Sequence, residues 1–348
     1  MNRGSATIDD VAAAAGVARV TVSRVLNNAA SVRAETRERV MRAVESLGYS
    51  VNHQARALAS GGAQPILLVH AHNPDREPNS YYHSALELGA MRGCAGAGLD
   101  LVTASIDPDG DDPAGQLRRL VERQRPAGII LCPPLADQPA VLALAAETAT
   151  PLFAISAGPE AAELVPAIGI DERAAGRAVG EHLLALGHRR IGFIKGPPDH
   201  RAAALRFDGL LDALAAGGVA DPPWTAVGDF SFRSGINAAE RLVEQQVPIT
   251  ALACANDDMA AGAMLALHRA GLDIPRDMSV SGFDDTPLSE VIWPPLTTVR
   301  QPIKQYTERA VQRLADIRAG RADEAGFERV AHRLVVREST GAVTQPQR

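Results

Sequence analysis

The sequence predicts an α/β protein in two parts, a small helical N-terminal unit followed by a larger body of parallel sheets covered by helices. From Pro65 onward, short apolar runs alternate with Ala-rich amphipathic stretches, the pattern of strand–helix–strand units. Before Pro65 only helical periodicity is present, with capping signals at the helix starts. At 348 residues the chain is also too long for one compact core. Charge divides along the same line. Residues 1–62 hold eight arginines against five carboxylates, a net +3, and the remainder carries −9 of the overall −6. A hydrophobic fraction of 46% with 22% charged residues is ordinary for a globular protein and excludes a disordered or collagen-like chain.

The first helix starts at Thr7, whose hydroxyl can cap it while Asp10 reaches back to complete a capping box. Ile8, Val11, Ala12 and Ala15 form its apolar stripe and Gly16 ends it. A second helix is expected over about Ala18–Asn27, with Val22, Val25 and Leu26 on one side, and residues 27–31 read as a loop. A third, about Ala34–Leu47, buries Val40, Val44 and Leu47 and stops at Gly48. Two short helices joined by a tight glycine turn, with a third closing the core, make helix-turn-helix geometry. There the second helix enters the major groove and its first residues meet base edges. Those residues are Arg19, Val20 and Arg24: arginine can grip guanine bidentately, and valine can touch a thymine methyl. Thr21, Ser23 and Asn28 are short donors suited to phosphates. A three-helix bundle with a solvated arginine face is the competing reading of the same residues.

Thr7-Ile8-Asp9-Asp10-Val11-Ala12, Ala15-Gly16-Val17, Thr21-Val22-Ser23-Arg24-Val25-Leu26-Asn27, Thr36-Arg37 and Leu47-Gly48-Tyr49 together resemble the headpiece of the lac-repressor (LacI/GalR) family. Two positions depart from it: Ala18, a poor helix cap, and Arg33 stand where many members carry serine. The resemblance adds Thr7, Asn27, Tyr49 and Asn52 to the DNA-facing set. It also implies that Asn52–Ala59, too short to be stable alone in water, is a hinge helix that folds on DNA. Leu58 would then be the wedge between base pairs in the minor groove, with Ala55 and Ala59 letting two such helices approach. The duller alternative packs Leu58 against the body. Residues 60–65 make a flexible joint.

In the body, strands are expected at Ile66–Val69, Leu101–Thr103, Gly128–Leu131, Leu152–Ile155, Ile191–Ile194, Ala251–Cys254 and Ser279–Gly282. Helices are expected at Ala85–Ala97, Ala114–Gln124, Ala174–Leu186 and Ala260–Ala270. The length fits two doubly wound units side by side, whose ligands collect at the carboxyl ends of the strands. Gly187-His188-Arg189-Arg190-Ile191-Gly192-Phe193-Ile194, the run Cys254–Ala260, Gly282-Phe283-Asp284-Asp285-Thr286 and Pro294-Pro295-Leu296-Thr297-Thr298-Val299 resemble the effector-binding part of the same family. That part shares the two-lobed fold of type I periplasmic sugar-binding proteins. The resemblance implies a headpiece over 1–50, hinge and linker over 51–64, an effector-binding and dimerisation domain over 65–340, and a tail over 341–348. Lobe 1 would take about 65–166 and 300–327, lobe 2 about 168–298 and 330–340, with crossings near 166–168, 298–300 and 327–330.

By motif position, Arg206 matches the arginine that binds effector hydroxyls or carboxylates, and Asp284 the acid that accepts from ligand hydroxyls or amines. Asn256 can donate and accept as vicinal hydroxyls require, Phe230 matches an aromatic that stacks on a sugar face, and Tyr81 and Tyr82 match a further ligand-facing pair. Each has a structural alternative: Arg206 paired with a surface acid, Asp284 or Asp285 capping a helix, Phe230 in the core.

Cys94, Cys132 and Cys254 are widely spaced and odd in number, so no disulfide framework or zinc site follows, and they read as small buried apolar residues. Asp107–Asp112 fails as a calcium loop, because its glycine falls early and Arg118 stands where the closing glutamate belongs. Gly196-Pro197-Pro198 lacks the Lys-Ser/Thr of a phosphate loop, and His70 and His72 have no third ligand nearby. The expectation is therefore no metal, no cofactor and no enzyme. With no secretory signal and no apolar run of membrane length, a cytoplasmic protein is expected. The expected partners are a palindromic double-stranded operator, a small effector, most often a carbohydrate in this family, and a second copy of the chain; no membrane is involved. A tail lacking a leucine heptad argues against a tetramer. The alternative is a sugar-binding protein or sugar-acting enzyme on the same doubly wound fold.

Overall fold

In a computed structural model of the chain, describing residues 7–26, 33–47, 64–72, 80–321 and 326–343, helix α1 (Ile8–Ala15) begins with the expected capping box. The Asp10 amide donates to the Thr7 hydroxyl at 3.3 Å, and the Thr7 amide donates to the Asp10 carboxylate at 2.8 Å. Gly16, at φ +62°, ends the helix in the left-handed region that suits glycine. Helices α2 (Arg19–Leu26) and α3 (Ala34–Ser46) follow. Val11, Ala12, Ala15, Val22, Val25, Val40 and Ala43 form their common core, flanked by Val17 and Val44. Leu47, expected inside, is exposed just beyond α3. Arg33 starts α3 without a side-chain cap, as its departure from serine leads one to expect. Residues 1–63 form one compact unit and residues 64–348 another.

The second unit contains two parallel sheets. The first is built from β1 (Ile66–Ala71), β2 (Leu101–Ile106), β3 (Gly128–Leu131), β4 (Leu152–Ile155), β5 (Ala167–Gly169) and a later strand, Phe327–Arg329, in the order Phe327–Arg329, β5, β4, β3, β1, β2. Helices α4 (Ser80–Ala97) and α5 (Pro113–Gln124) connect its early strands. The second has β6 (Ile191–Lys195), β7 (Trp224–Val227), β8 (Ala251–Cys254) and β9 (Ser279–Ser281) in the order β7, β6, β8, β9. Around it run α6 (Glu172–Ala185), α7 (Arg201–Ala216), α8 (Phe232–Glu244) and α9 (Asp257–Arg269). The central strands are buried on both faces, as helix-covered parallel strands must be. All seven predicted strands are present.

Strand β5 was not anticipated: three residues are too few for a pattern, and it is held by pairing with Phe327–Arg329 and β4. Because Ala167–Gly169 are bonded into the first sheet, the chain crosses after Gly169 and not at 166–168. It returns through β10 (Thr298–Arg300) into α10 (Ile303–Arg318), which packs on α4 and the first sheet. After Phe327–Arg329 (β11) it crosses again through β12 (Arg333–Val335), antiparallel to β10. In the Asp107–Asp112 stretch the Asp107 carboxylate accepts from the Asp109 amide to make a turn, and Asp112 caps α5. All three cysteines are buried free thiols.

One packing detail places the site. Helices α6 and α7 cross where Gly176 faces the Arg206 carbonyl and Gly209 faces that of Arg173, so close that a Cβ at either would strike backbone. This approach sets the first turn of α6 against the middle of α7, and hence Glu172 against Arg206.

Candidate functional site

The carboxyl ends of the strands carry a concentration of strained backbone. Ser156 after β4, Phe230 after β7, and Asp284 and Asp285 after β9 adopt φ of +48°, +67°, +108° and +54°. The other two non-glycine residues with positive φ among those described, Arg125 and Gln246, lie at helix ends, where such a conformation is common. Strain held at strand ends marks a site whose loop geometry is fixed by its surroundings.

Arg206 is the centre of that site and is only 5% exposed. Its Nε donates to Glu172 Oε2 at 2.7 Å, Nη2 to Oε1 at 3.4 Å, and Nη1 to the Ala255 carbonyl at 2.7 Å. Asp284 Oδ1 lies 3.9 Å from Nη1, and the Phe283 ring covers the guanidinium at 3.7 Å. Burial opposes charge on this group, but Glu172 and then Asp284 outweigh it and raise its pKa. The alternative of a surface acid is thus replaced by a buried one. Helix α6 offers Glu172 at its first position, where a carboxylate also suits the helix dipole.

Asp284 accepts from Gln301 Nε2 at 2.5 Å, and Gln301 Oε1 accepts from the Tyr306 hydroxyl at 2.9 Å. This relay joins the loop after β9 to α10. Burial pushes the Asp284 carboxyl up to about 7, against the opposing pull of Arg206 and Gln301. Asp257, fully buried, accepts from Thr298 and from the Thr286 amide, and burial, then Asp284, raises its pKa. Asp285 is held by Arg337 at 2.6 Å and by Arg300, which fixes the crossing strands to the same loop.

Linkage gives Asp284 a testable signature. Its pKa is higher in the folded state than the ordinary value near 4, so its favourable contribution is complete below about pH 4 and is lost as pH rises through about 7. Urea unfolding should therefore show the Asp284→Asn variant gaining on the wild type by a few kcal/mol between about pH 5 and pH 8. A stability difference constant across that range would refute the buried-acid assignment.

The remaining expected contacts divide. Asn256 caps α9 through Oδ1, which accepts from the Met259 amide at 3.0 Å, and Nδ2 donates to the Phe230 carbonyl at 2.9 Å. It thus anchors the Phe230 loop. The Phe230 ring meets His200 edge-on at 4.8 Å and packs over Gly196, where no side chain would fit. Tyr82 donates to Ser156 Oγ at 3.5 Å, and burial raises its pKa. Tyr81 points another way, into a hollow of about 360 Å³ bordered by Asp284, Gln301 and residues 302–305. Glu172, Asp257, Phe283, Gln301 and Tyr306 were missed. Asp171-Glu172 reads in sequence as an ordinary helix start, and nothing local marks Gln301 or Tyr306.

In the N-terminal unit, α2 buries Val22 and Val25 and turns Arg19, Val20 and Arg24 outward, with Val20 57% exposed. An apolar side chain left in water beside two arginines has the composition of a major-groove reading head. Among the described residues, Arg19 makes an exposed 3.6 Å pair with Asp9, worth little in solvent and readily exchanged for a base. Thr21 is half-buried, and the Thr7 hydroxyl is engaged in its cap. The Ser23 side chain and all of Asn27, Asn28, Tyr49, Asn52, Ala55 and Leu58 lie outside the described residues. Among those described, no group of three or more potential ligands could hold a metal, and no helix is long and apolar enough to cross a membrane.

Comparison with known proteins agrees with both parts. Residues 7–52 match the bacterial regulatory proteins of the lacI family, and residues 180–340 match a periplasmic binding protein-like domain. The lactose operon repressor of Escherichia coli (strain K12) is 33% identical over 340 residues, 96% of this chain and 90% of that protein. Among solved structures, the lac repressor dimer bound to operator and the anti-inducer ONPF aligns with a TM-score of 0.78 and 31% identity, covering 97% of this chain and 99% of that one. The complex of the transcriptional regulator CelR with cellobiose aligns at 0.71 with 29% identity, covering 96% and 99%.

Proposed function

Because this chain belongs to the lacI family of bacterial regulatory proteins, we propose that it is a dimeric repressor whose hold on a near-palindromic operator is set by a sugar bound between its two sheets. The observation that carries the DNA half is the outward set Arg19, Val20 and Arg24 on a helix whose other side is core. Each recognition helix reads one half-site, so the two-fold symmetry of the protein is mirrored in the operator. By the family resemblance Leu58 would supply the minor-groove wedge.

For the effector half, Arg206, Asp284 and Phe230 bring donors, acceptors and an aromatic face to the strand ends, the mixture that sugar hydroxyls and ring carbons require, and Tyr81 shares a neighbouring hollow with Asp284. Three of the carboxylates there are engaged: Glu172 by Arg206, Asp257 by Thr298 and Thr286, Asp284 by Gln301. That favours holding a ligand over turning one over. The protein acts in the cytoplasm, where its DNA lies. For dimerisation, Val291 and Trp293 are 77% and 84% exposed on one short segment, an apolar feature suited to a second copy.

Selection of bound genomic fragments tests the reading: a two-fold symmetric motif is expected, and no enrichment over random DNA would refute it. Within that motif, Arg19→Ala should relax preference at one base pair by about 1–3 kcal/mol, read from a set of single-base operator variants. A uniform loss across all variants would instead make Arg19 a phosphate contact.

A further inference from the structure

The arginine of the cleft is already answered by an acid of the same chain. Glu172 occupies the Nε–Nη2 edge of Arg206, Ala255 takes a proton of Nη1, and Phe283 covers a face. Of five guanidinium protons, two are left, enough for a hydroxyl oxygen but without the free lateral fork that grips a carboxylate or phosphate. Beside it stand a second carboxylate, Asp284, at 3.9 Å, and a third, Asp257, bonded to the same loop at Thr286.

We infer that Glu172 is the charge-selecting residue of this cleft: by neutralising Arg206 it makes the site take an uncharged polyhydroxy effector and refuse sugar phosphates and sugar acids. The inference deepens the sugar-responsive reading above and rests on it. An anion entering here adds negative charge to a desolvated space in which Glu172 already balances the guanidinium. A hydroxyl adds none, donating to Asp284 while accepting from the spare arginine protons. The other basic groups around the cleft offer no compensation: Arg300 and Arg337 are already paired with Asp285 of this loop. His200, packed on Phe230, is held neutral by burial, which lowers its pKa to about 3. Lys195, at the end of β6, lies over the Phe207 ring at 4.0 Å.

Thermal unfolding of the full-length protein tests this with inorganic phosphate and glucose 6-phosphate as anionic probes and chloride at equal ionic strength as reference. The wild type should show no saturable stabilisation by either probe. Glu172→Gln, which leaves Arg206 unanswered, should bind phosphate at least about tenfold more tightly than the wild type, and adding Arg206→Gln should remove that gain. Saturable phosphate binding by the wild type equal to that of the variant, or no gain in a folded Glu172→Gln protein, overturns the assignment. Should the variant not fold, the wild type decides alone: stabilisation by either anion overturns the inference, and its absence upholds it. Operator binding is measured separately on the same preparations. Loss of operator recognition with the phosphate gain intact would sink the regulator reading and leave Glu172 in its role.

Discussion

Replacing Arg206 by alanine is expected to lower stability by about 3–5 kcal/mol, because it strands the Glu172 carboxylate in a space from which water is excluded. In a unit of this size that corresponds to a fall in Tm on the order of 10 °C, read by calorimetry. Removing both charges, as in Arg206→Met with Glu172→Leu, should recover much of the loss, since a buried pair replaced by apolar side chains of similar volume is often neutral. A double variant as unstable as the single one would show that Arg206 stabilises through its Ala255 and Phe283 contacts and not through the pair. The residue pairs within residues 64–348, and the proposed DNA-reading residues Arg19, Val20 and Arg24 lie in the other unit. Arg206→Ala should therefore lose the sugar response while the isolated headpiece chemistry is untouched.

Trp293→Asp is expected to have the larger effect on DNA. If the Val291–Trp293 segment joins two copies, a charge there breaks the dimer, and each half-site must then be bound by an independent headpiece. Loss of the effective concentration supplied by the partner should weaken operator binding by about 10²–10⁴-fold. Sedimentation gives the oligomeric state of the same sample. A variant that stays dimeric, or that binds the operator undiminished as a monomer, would remove this segment from the interface.

How far the sequence reached follows from how each feature is encoded. The Thr7–Asp10 box and Gly16 are local devices, so α1 was readable to the residue. Strands such as Gly128–Leu131 and Ala251–Cys254 are runs of four buried residues and announce themselves by composition alone. Strand β5 exists through its neighbours, and three residues carry no period. In the site, Arg206 and Asp284 are named by the family resemblance, and the fold brings them within 3.9 Å of each other. Glu172 was not, since its partner lies 34 positions away and is met only because glycines let α6 and α7 close together. Asn256 illustrates the converse. Its amide has the chemistry of a ligand contact, yet in the fold it caps a helix and ties down Phe230.

The most direct test of a DNA-reading headpiece governed by a remote cleft is reciprocity. The sugar that most raises the thermal midpoint is titrated into the full-length protein, free and saturated with its selected operator, and the operator is titrated with and without that sugar. The account predicts that both affinities change by the same factor, within about 5–150-fold. Equal sugar affinity in the free and operator-bound protein would contradict it.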